Sequence, residues 1–338
     1  MQIEAHDLVK IYPQGVRALD GLSISIPQAT VFGLLGPNGA GKSTAIKILT
    51  TLARPDSGRA TVAGHDVLAH PDRVRRAIGV VAQRSGTDPM ATGRDNLTLQ
   101  GRLYGLGGTG LKHRVAELLE RFDLTDAADR PVRTFSGGMQ RRLDVALGLV
   151  HTPAVLFLDE PTTGLDPEAR TALWAEIERL SADERLTILL TTHYLEEADR
   201  LADRLAIVDR GRVVVEGTPD VLKGELRGDA VHVELRSTAN EGALRPVIGG
   251  VPGIVDVTVD GRRVSARADD GAAAVPGILA ALDRAGVAVA TVTVARPSLD
   301  DVYLRHVGRR FADADRAISH TDDSDADTLV GAGTGGHR

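Results

Sequence analysis

Short apolar runs alternate with helix-period segments through the first two thirds of the chain. Each run is bounded by polar turns, a pattern typical of strands that are buried on both faces of a parallel sheet. The runs are Val31–Leu35, Ile78–Ala82, Ala154–Leu158 and Leu186–Thr191, and helical patterns follow three of them, from about Lys42, over Glu168–Leu180 and over Leu195–Ala202. Strands and helices in alternation predict an α/β fold with right-handed crossovers.

The pattern changes twice along the chain. Between Gln83 and Val150 it is helical without strands, which predicts a helical subdomain inserted at about residues 84–150. Beyond a boundary at Gly224–Gly228 the predicted elements follow the order βαββαβ, with Asp260-Gly261 as a hairpin signal. These elements are the strands Val231–Leu235, Ile254–Val259, Arg263–Arg267 and Val287–Val294, and the helices Glu241–Ile248 and Ala272–Arg284.

These changes predict two domains and a tail. We expect the domains to cover residues 1–224 and 228–308. The last segment, residues 309–338, is rich in aspartate and then in glycine, and it lacks the apolar residues that would hold it against a core. It is therefore predicted to be disordered.

Composition and charge narrow the possible classes of function. The 338 residues include 40 Lys and Arg against 46 Asp and Glu, a net charge of -6, which argues against a nucleic-acid binder with a broad basic surface. There is no cysteine, so disulfides and Cys-ligated zinc or iron–sulfur sites are excluded. The start of the chain holds Glu4 and Asp7 and no apolar run, so we expect no signal peptide. The uncharged stretch Gly21–Gly41 has the pattern of strand and loop, so we expect a soluble chain whose membrane role comes through a partner.

A glycine-rich loop stands between the first buried strand and the first helix. It fits G-x-x-x-x-G-K-[ST], and its residues are Gly36, Pro37, Asn38, Gly39, Ala40, Gly41, Lys42, Ser43 and Thr44. Glycines let backbone N–H groups turn inward as an anion nest, and the following helix directs its positive end at bound phosphates. Lys42 supplies a point charge to the outer phosphates, and Ser43 supplies an oxygen to Mg²⁺. A chance turn is the competing interpretation, and the strand–helix context argues against it.

Two carboxylates, Asp159 and Glu160, end the apolar run that begins at Ala154. Catalytic groups lie at the carboxyl ends of strands in sheets of this kind. Asp159 suits the shell of Mg²⁺, directly or through a water, and Glu160 is placed to polarise a water as a general base. Alone, the pair would more often be a solvated turn. Together with the phosphate loop, it predicts a site of nucleotide hydrolysis.

Four further features narrow the class of protein. Phe135-Ser136-Gly137-Gly138-Met139-Gln140 opens a helix, Gln83 follows one predicted strand, Gly164-Leu165-Asp166 follows Glu160, and His193 follows another strand. In order and spacing, residues 1–222 resemble the ATP-binding cassette (ABC) ATPases, with their Walker A, Q-loop, signature, Walker B, D-loop and His-switch motifs. The resemblance implies a P-loop NTPase of the ABC ATPase fold that uses ATP and Mg²⁺, with a small α+β domain added.

The resemblance also implies roles for single residues. Gln83 would sense, and help to bind, Mg²⁺ and water; His193 would contact the γ-phosphate; and Tyr12 would stack on adenine. Ser136 to Gly138 and Asp166 would contact nucleotide across a dimer interface. Each has an ordinary alternative: a helix cap for Ser136 and Asp166, a surface glutamine, a strand-end histidine and a partly exposed tyrosine.

Several segments are similar to the drug-export branch of the family, typified by daunorubicin/doxorubicin resistance ATPases. They are the signature with Phe135 and Met139 in place of the usual Leu and Gln, and the segments Gly101–Gly105, Thr192–Asp199 and Pro297–Leu304. The last of these suggests that the C-terminal domain belongs to the same branch. Its role stays open as regulatory or dimer-supporting.

Two helix N-termini in the chain are able to bind phosphate, one at Lys42 and one at Ser136, and they predict a partner. The helical insert separates them, so we expect a two-fold homodimer in which Lys42 of one chain faces Ser136 of the other. The segment Arg84–Tyr104 would contact a separately encoded membrane subunit at the cytoplasmic face of the membrane. The expected function is ATP-driven efflux of a drug-like compound. An ATPase for lipid or polysaccharide transport, or a regulatory ATPase acting on ribosomes or DNA, remains an alternative.

Overall fold

The computed structural model describes residues 1–13, 15–226, 228–308 and 311. These residues fall into two compact units, the first ending at Thr218 and the second beginning at Pro219. The division comes six residues before the boundary that we expected from the sequence. Apart from Phe311, the predicted tail over residues 309–338 lies outside the described residues.

The first unit contains strands and helices in alternation. Its strands are β1 (Ile3–Ile11), β2 (Arg17–Ile26), β3 (Val31–Leu35), β4 (Ser57–Val62), β5 (His65–Asp66), β6 (Ile78–Val81), β7 (Val155–Asp159), β8 (Thr187–Thr192), β9 (Arg204–Asp209) and β10 (Arg212–Gly217). Its helices are α1 (Lys42–Leu49), α2 (Pro71–Ala77), α3 (Gly93–Leu103), α4 (Gly108–Arg121), α5 (Gly137–Leu149), α6 (Pro167–Glu184) and α7 (Leu195–Leu201).

The main sheet has the order β10-β9-β3-β8-β7-β6, with parallel pairing from β9 to β6. A second, antiparallel sheet has the order β2-β1-β4-β5. Alternate residues of the central strands enter different cores: Ile188 and Leu190 pack with the helices α5 and α6, whereas Leu189 packs with α1 and the second sheet. Burial on both faces is the physical reason for the continuous apolar runs, and the predicted α/β fold is confirmed.

The strand order brings the predicted motifs to one edge. Because β3, β8, β7 and β6 are parallel neighbours, the segments after their carboxyl ends meet there. Those segments carry the glycine-rich loop, His193, Glu160 and Gln83 respectively. Between Gln83 and Val150, where every residue is described, the structure contains α3, α4 and α5 and no strand, as the sequence predicted.

The second unit has the predicted βαββαβ order. Its elements are α8 (Pro219–Gly224), β11 (Asp229–Leu235), α9 (Glu241–Gly249), β12 (Ile254–Asp260), β13 (Arg263–Ala268), α10 (Gly271–Arg284), β14 (Val289–Ala295) and α11 (Leu299–Val307). The antiparallel sheet has the order β12-β13-β11-β14, and α9 and α10 close its core. The hairpin turn is Gly261-Arg262 rather than Asp260-Gly261, since Asp260 still pairs with Arg263. The division at Pro219 arises because α8 packs against α11 in this unit.

None of the helices among the described residues is both long and apolar enough to cross a membrane.

Candidate nucleotide-binding site

The loop from Gly36 to Gly41 depends on glycine at both ends. A β-carbon at Gly36 would lie 2.5 Å from the Val208 carbonyl oxygen, and one at Gly41, whose φ is 109°, would lie 2.4 Å from the Ala18 oxygen. Helix α1 begins directly afterwards at Lys42, so its N-terminal N–H groups face the loop. Lys42 is 4% exposed, and its Nζ donates hydrogen bonds to the carbonyls of Gly36 at 2.7 Å and Pro37 at 3.1 Å. The ammonium therefore lies inside the loop that was predicted to hold phosphates.

Ser43 and Asp159 meet as the Mg²⁺ assignment requires. Ser43 Oγ donates to Asp159 Oδ1 at 3.2 Å, and Thr191 Oγ1 donates to the same oxygen at 2.6 Å. Among the described residues, no group of three or more His, Asp or Glu side chains forms a metal cage. A hydroxyl and one carboxylate fit Mg²⁺, which commonly takes one or two protein carboxylates and completes its shell with phosphate oxygens and water.

Glu160 is the centre of the cluster. Its Oε2 accepts a hydrogen bond from Gln83 Nε2 at 3.2 Å and lies 3.3 Å from His193 Nδ1, although that nitrogen makes no hydrogen bond of good geometry. Its Oε1 lies 3.5 Å from Lys42 Nζ. The structure thus brings together the four residues that the sequence predicted on four separate segments.

The backbone and the charge of Glu160 are both unusual. Its φ is 48°, in the left-handed region, and its N–H is held at 3.1 Å by Thr191 Oγ1. Burial alone would raise the pKa of its carboxyl, but the adjacent His193 imidazole and the Lys42 ammonium together lower it. Glu160 is therefore ionised at neutral pH and able to accept a proton.

Tyr12 lies beside the phosphate loop. Its hydroxyl is 3.4 Å from Thr44 Oγ1, and Lys10 Nζ lies 5.9 Å from the centre of its ring. The ring is partly exposed.

The signature and D-loop residues lie at a second location. Ser136 caps α5 by accepting from Met139 N at 3.2 Å, and Asp166 caps α6 by accepting from Ala169 N at 2.8 Å. Ser136, Gly138 and Asp166 line a polar surface pocket of about 370 Å³ that does not include Lys42. Gly138 has to be small, because a β-carbon there would lie 2.9 Å from the Ala169 β-carbon. The ordinary capping interpretation is thus correct locally, and the capped helix start remains exposed.

Thr191 and Glu197 were missed by sequence reasoning. Thr191 contacts both carboxylate residues from the neighbouring strand, and a buried threonine at the polar end of an apolar run was the available signal. Glu197 is fully buried on α7 and accepts from Trp174 Nε1 at 3.0 Å. Burial raises the pKa of its carboxyl against the hydrogen bonds that would lower it.

Comparison with known proteins gives the family. Residues 19–163 match the model for the ABC transporter family, and residues 217–307 match that for the C-terminal domain of DrrA1-3-like ATP-binding proteins. Daunorubicin resistance ATP-binding protein DrrA3 of Streptomyces coeruleorubidus is 48% identical, over 88% of this chain and 94% of its own. Daunorubicin/doxorubicin resistance ATP-binding protein DrrA of Streptomyces peucetius is 46% identical, over 90% of this chain and 92% of its own.

Solved structures agree on the fold. The cassette cbiO1 of Clostridium perfringens is similar with a TM-score of 0.61 and 28% identity, over 66% of this chain and 91% of its own. A dimeric MJ0796 cassette is similar with a TM-score of 0.59 and 25% identity, over 64% of this chain and 98% of its own. Fold and site together define an ABC ATPase, an enzyme that binds and hydrolyses ATP. More narrowly, the chain belongs to the ABC transporter ATP-binding proteins that carry a DrrA-like C-terminal domain.

Proposed function

We propose that this chain is the ATP-hydrolysing subunit of an exporter that removes a hydrophobic, drug-like compound through a separate membrane subunit. The main support is the 48% identity to a daunorubicin resistance protein across 94% of that protein's length. The similarity includes the C-terminal domain, and it extends over 88% of this chain, whereas the solved cassettes cover 66% and 64% of it.

Hydrolysis would be carried by the cluster around Glu160. The carboxylate takes a proton from the attacking water, while Gln83 and His193 orient that water and the γ-phosphate. Lys42 stabilises the charge that develops on the transferred phosphoryl group. Ser43, Asp159 and Gln83 would hold Mg²⁺, which supplies charge neutralisation at the outer phosphates.

A homodimer would complete the site. The exposed helix start at Ser136 and Gly137 is separate from Lys42, so we infer that it binds the nucleotide held by a second copy. Asp166, in the same pocket, would lie at that interface. The MJ0796 cassette, similar in fold, is described as dimeric.

The membrane subunit would bind the segment that follows Gln83. Met90, Leu99 and Leu103 are 70%, 56% and 73% exposed, and such a set of large apolar side chains is typical of an interaction surface. Binding there would hold the chain at the cytoplasmic face of the membrane.

Transport of another cargo is the second candidate. A Nod factor export ATP-binding protein of Sinorhizobium fredii is 42% identical, over 92% of this chain and 87% of its own. The cargo can be tested with inverted vesicles that contain the chain and its membrane subunit. We expect ATP-dependent uptake of daunorubicin that Glu160→Gln abolishes. Uptake that is equal with and without ATP, for a wild-type chain that hydrolyses ATP, would exclude this cargo and favour the second candidate.

A further inference from the structure

Arg141 lies on α5, five residues after the cap Ser136, and the residue is 7% exposed. The guanidinium donates to three backbone carbonyls: Nε to Pro161 at 2.6 Å, Nη1 to Ala82 at 2.7 Å and Nη2 to Asp159 at 3.2 Å. Two of these carbonyls belong to the residues directly before and after Glu160. The third belongs to the residue before Gln83.

The backbone at Glu160 needs restraint. A left-handed conformation costs a residue other than glycine roughly 1–2 kcal/mol, and it persists only where the surroundings fix it. Thr191 holds the N–H of Glu160, and Arg141 holds the carbonyls on both sides. The Arg141 guanidinium thus completes the restraint on the residue whose carboxylate centres the site.

The segment around Gln83 is held by the same helix. Asp144, one turn further along α5, accepts from Ser85 Oγ at 2.8 Å and from Gly86 N at 3.3 Å. With the bond from Arg141 to Ala82, helix α5 contacts the chain on both sides of Gln83. Burial lowers the pKa of Arg141 and raises that of Asp144, because both charged groups are desolvated. Two apolar residues at these positions would stabilise the fold without that desolvation cost.

We propose that Arg141 is a positioning residue for ATP hydrolysis, which aligns Glu160 with Gln83 by fixing the three carbonyls around them. The inference rests on the proposed function, in which Glu160 is the general base. It follows that Arg141 acts on turnover and not on nucleotide binding, since its acceptors include none of the residues from Gly36 to Thr44.

The test compares phosphate release from ATP by the full chain and two arginine-to-lysine variants. In Arg141→Lys an ammonium replaces the planar fork and cannot reach three carbonyls at once. We expect kcat to fall about a hundredfold, the effect of a misplacement near 1 Å, with the KM for ATP changed less than about threefold. Arg114→Lys is the matched control, because Arg114, which lies on α4, also donates to a backbone carbonyl, that of Leu149 at 2.7 Å. It should keep the wild-type kcat.

A double variant separates positioning from general stability. If Arg141 acts through Glu160, Arg141→Lys should slow the residual single-turnover hydrolysis of the Glu160→Gln protein no further. The proposal would be overturned if the rate losses of the two substitutions multiplied in the double variant. It would also be overturned if folded Arg141→Lys kept the wild-type kcat, or if its KM rose at unchanged kcat. Failure of both Arg141→Lys and Arg141→Gln to fold under conditions where Arg114→Lys folds would overturn it as well. Glu160→Gln turning over at the wild-type rate would instead refute the proposed function.

Discussion

Replacing Lys42 by methionine removes a buried ammonium but keeps most of its stem. Nζ has carbonyls at 2.7 and 3.1 Å and lies 3.5 Å from Glu160, so a short movement within the loop would bring it to phosphates bound there. A hydrogen bond that involves a charged group contributes about 1.5–3 kcal/mol. Since 1.4 kcal/mol corresponds to tenfold in affinity, we expect ATP to bind about ten- to a hundredfold more weakly.

Glu160 should respond to the same substitution. Lys42 is one of the charges that lower the pKa of its carboxyl, so in Lys42→Met that pKa rises. A lowered carboxyl pKa stabilises the fold above the ordinary value of 4.5, and the contribution disappears as the pH falls through the folded-state pKa. The part of the stability difference that comes from this pair should therefore be present at neutral pH and vanish in acid.

Isothermal titration with ATP and Mg²⁺ measures the affinity directly. Lys47→Met is the matched control, because Lys47 lies on the same helix with its side chain exposed. Equal affinities for wild type and Lys42→Met would refute the phosphate role of Lys42. Equal losses of ATP affinity in the two lysine variants would show that the cause is the lost positive charge in general and not the position of Lys42.

Two other substitutions test separate parts of the site. Tyr12→Ala should weaken ATP binding about tenfold, since a base stacked on an aromatic ring contributes about 1–3 kcal/mol. Tyr12→Phe keeps the ring and should bind ATP as the wild type does. Titration with ATP measures both affinities, and wild-type affinity in the alanine variant would exclude stacking. Glu197→Gln should make thermal stability less dependent on pH. Burial raises the pKa of the Glu197 carboxyl in the folded protein, so the folded state loses stability as the pH rises above 4.5. The amide of glutamine stays neutral and removes this dependence. Melting temperatures from about pH 5 to about pH 8 measure this, and parallel profiles for the two proteins would contradict it.

The sequence predicted the elements whose residues are buried on both sides. β3, β7 and β8 lie within one residue of the predicted bounds because both of their faces enter a core. Gln83, Glu160 and His193 were found because each follows a strand, and parallel neighbours bring those strand ends together.

Elements with interrupted patterns were not predicted. The pairing of β1 with β2 shifts register between Ala5 and Leu8, and Asp7 has a φ of 49°, which breaks the alternation expected of a strand. α8 and α11 are short, and they pack against each other, which no local pattern in the sequence indicates.

Contacts between distant segments were also beyond sequence reasoning. Arg141 contacts carbonyls 20 and 59 residues away, and every residue can offer a carbonyl, so the acceptors leave no trace in the sequence. The burial of Glu197 could not be predicted either, because an acidic residue in the first turn of a helix is expected on the surface.

The general base and the nucleotide-bridged dimer form the central claim, and light scattering of the Glu160→Gln chain tests both. Glutamine keeps the shape but cannot take the proton from water, so ATP should remain bound between two copies. With ATP and Mg²⁺ the variant should have a mass of about twice 35.7 kDa, while a second change, Ser136→Arg, should return it to the monomer. A hydrolytically inactive Glu160→Gln chain that stays monomeric with ATP, both alone and with its membrane subunit, would contradict the account.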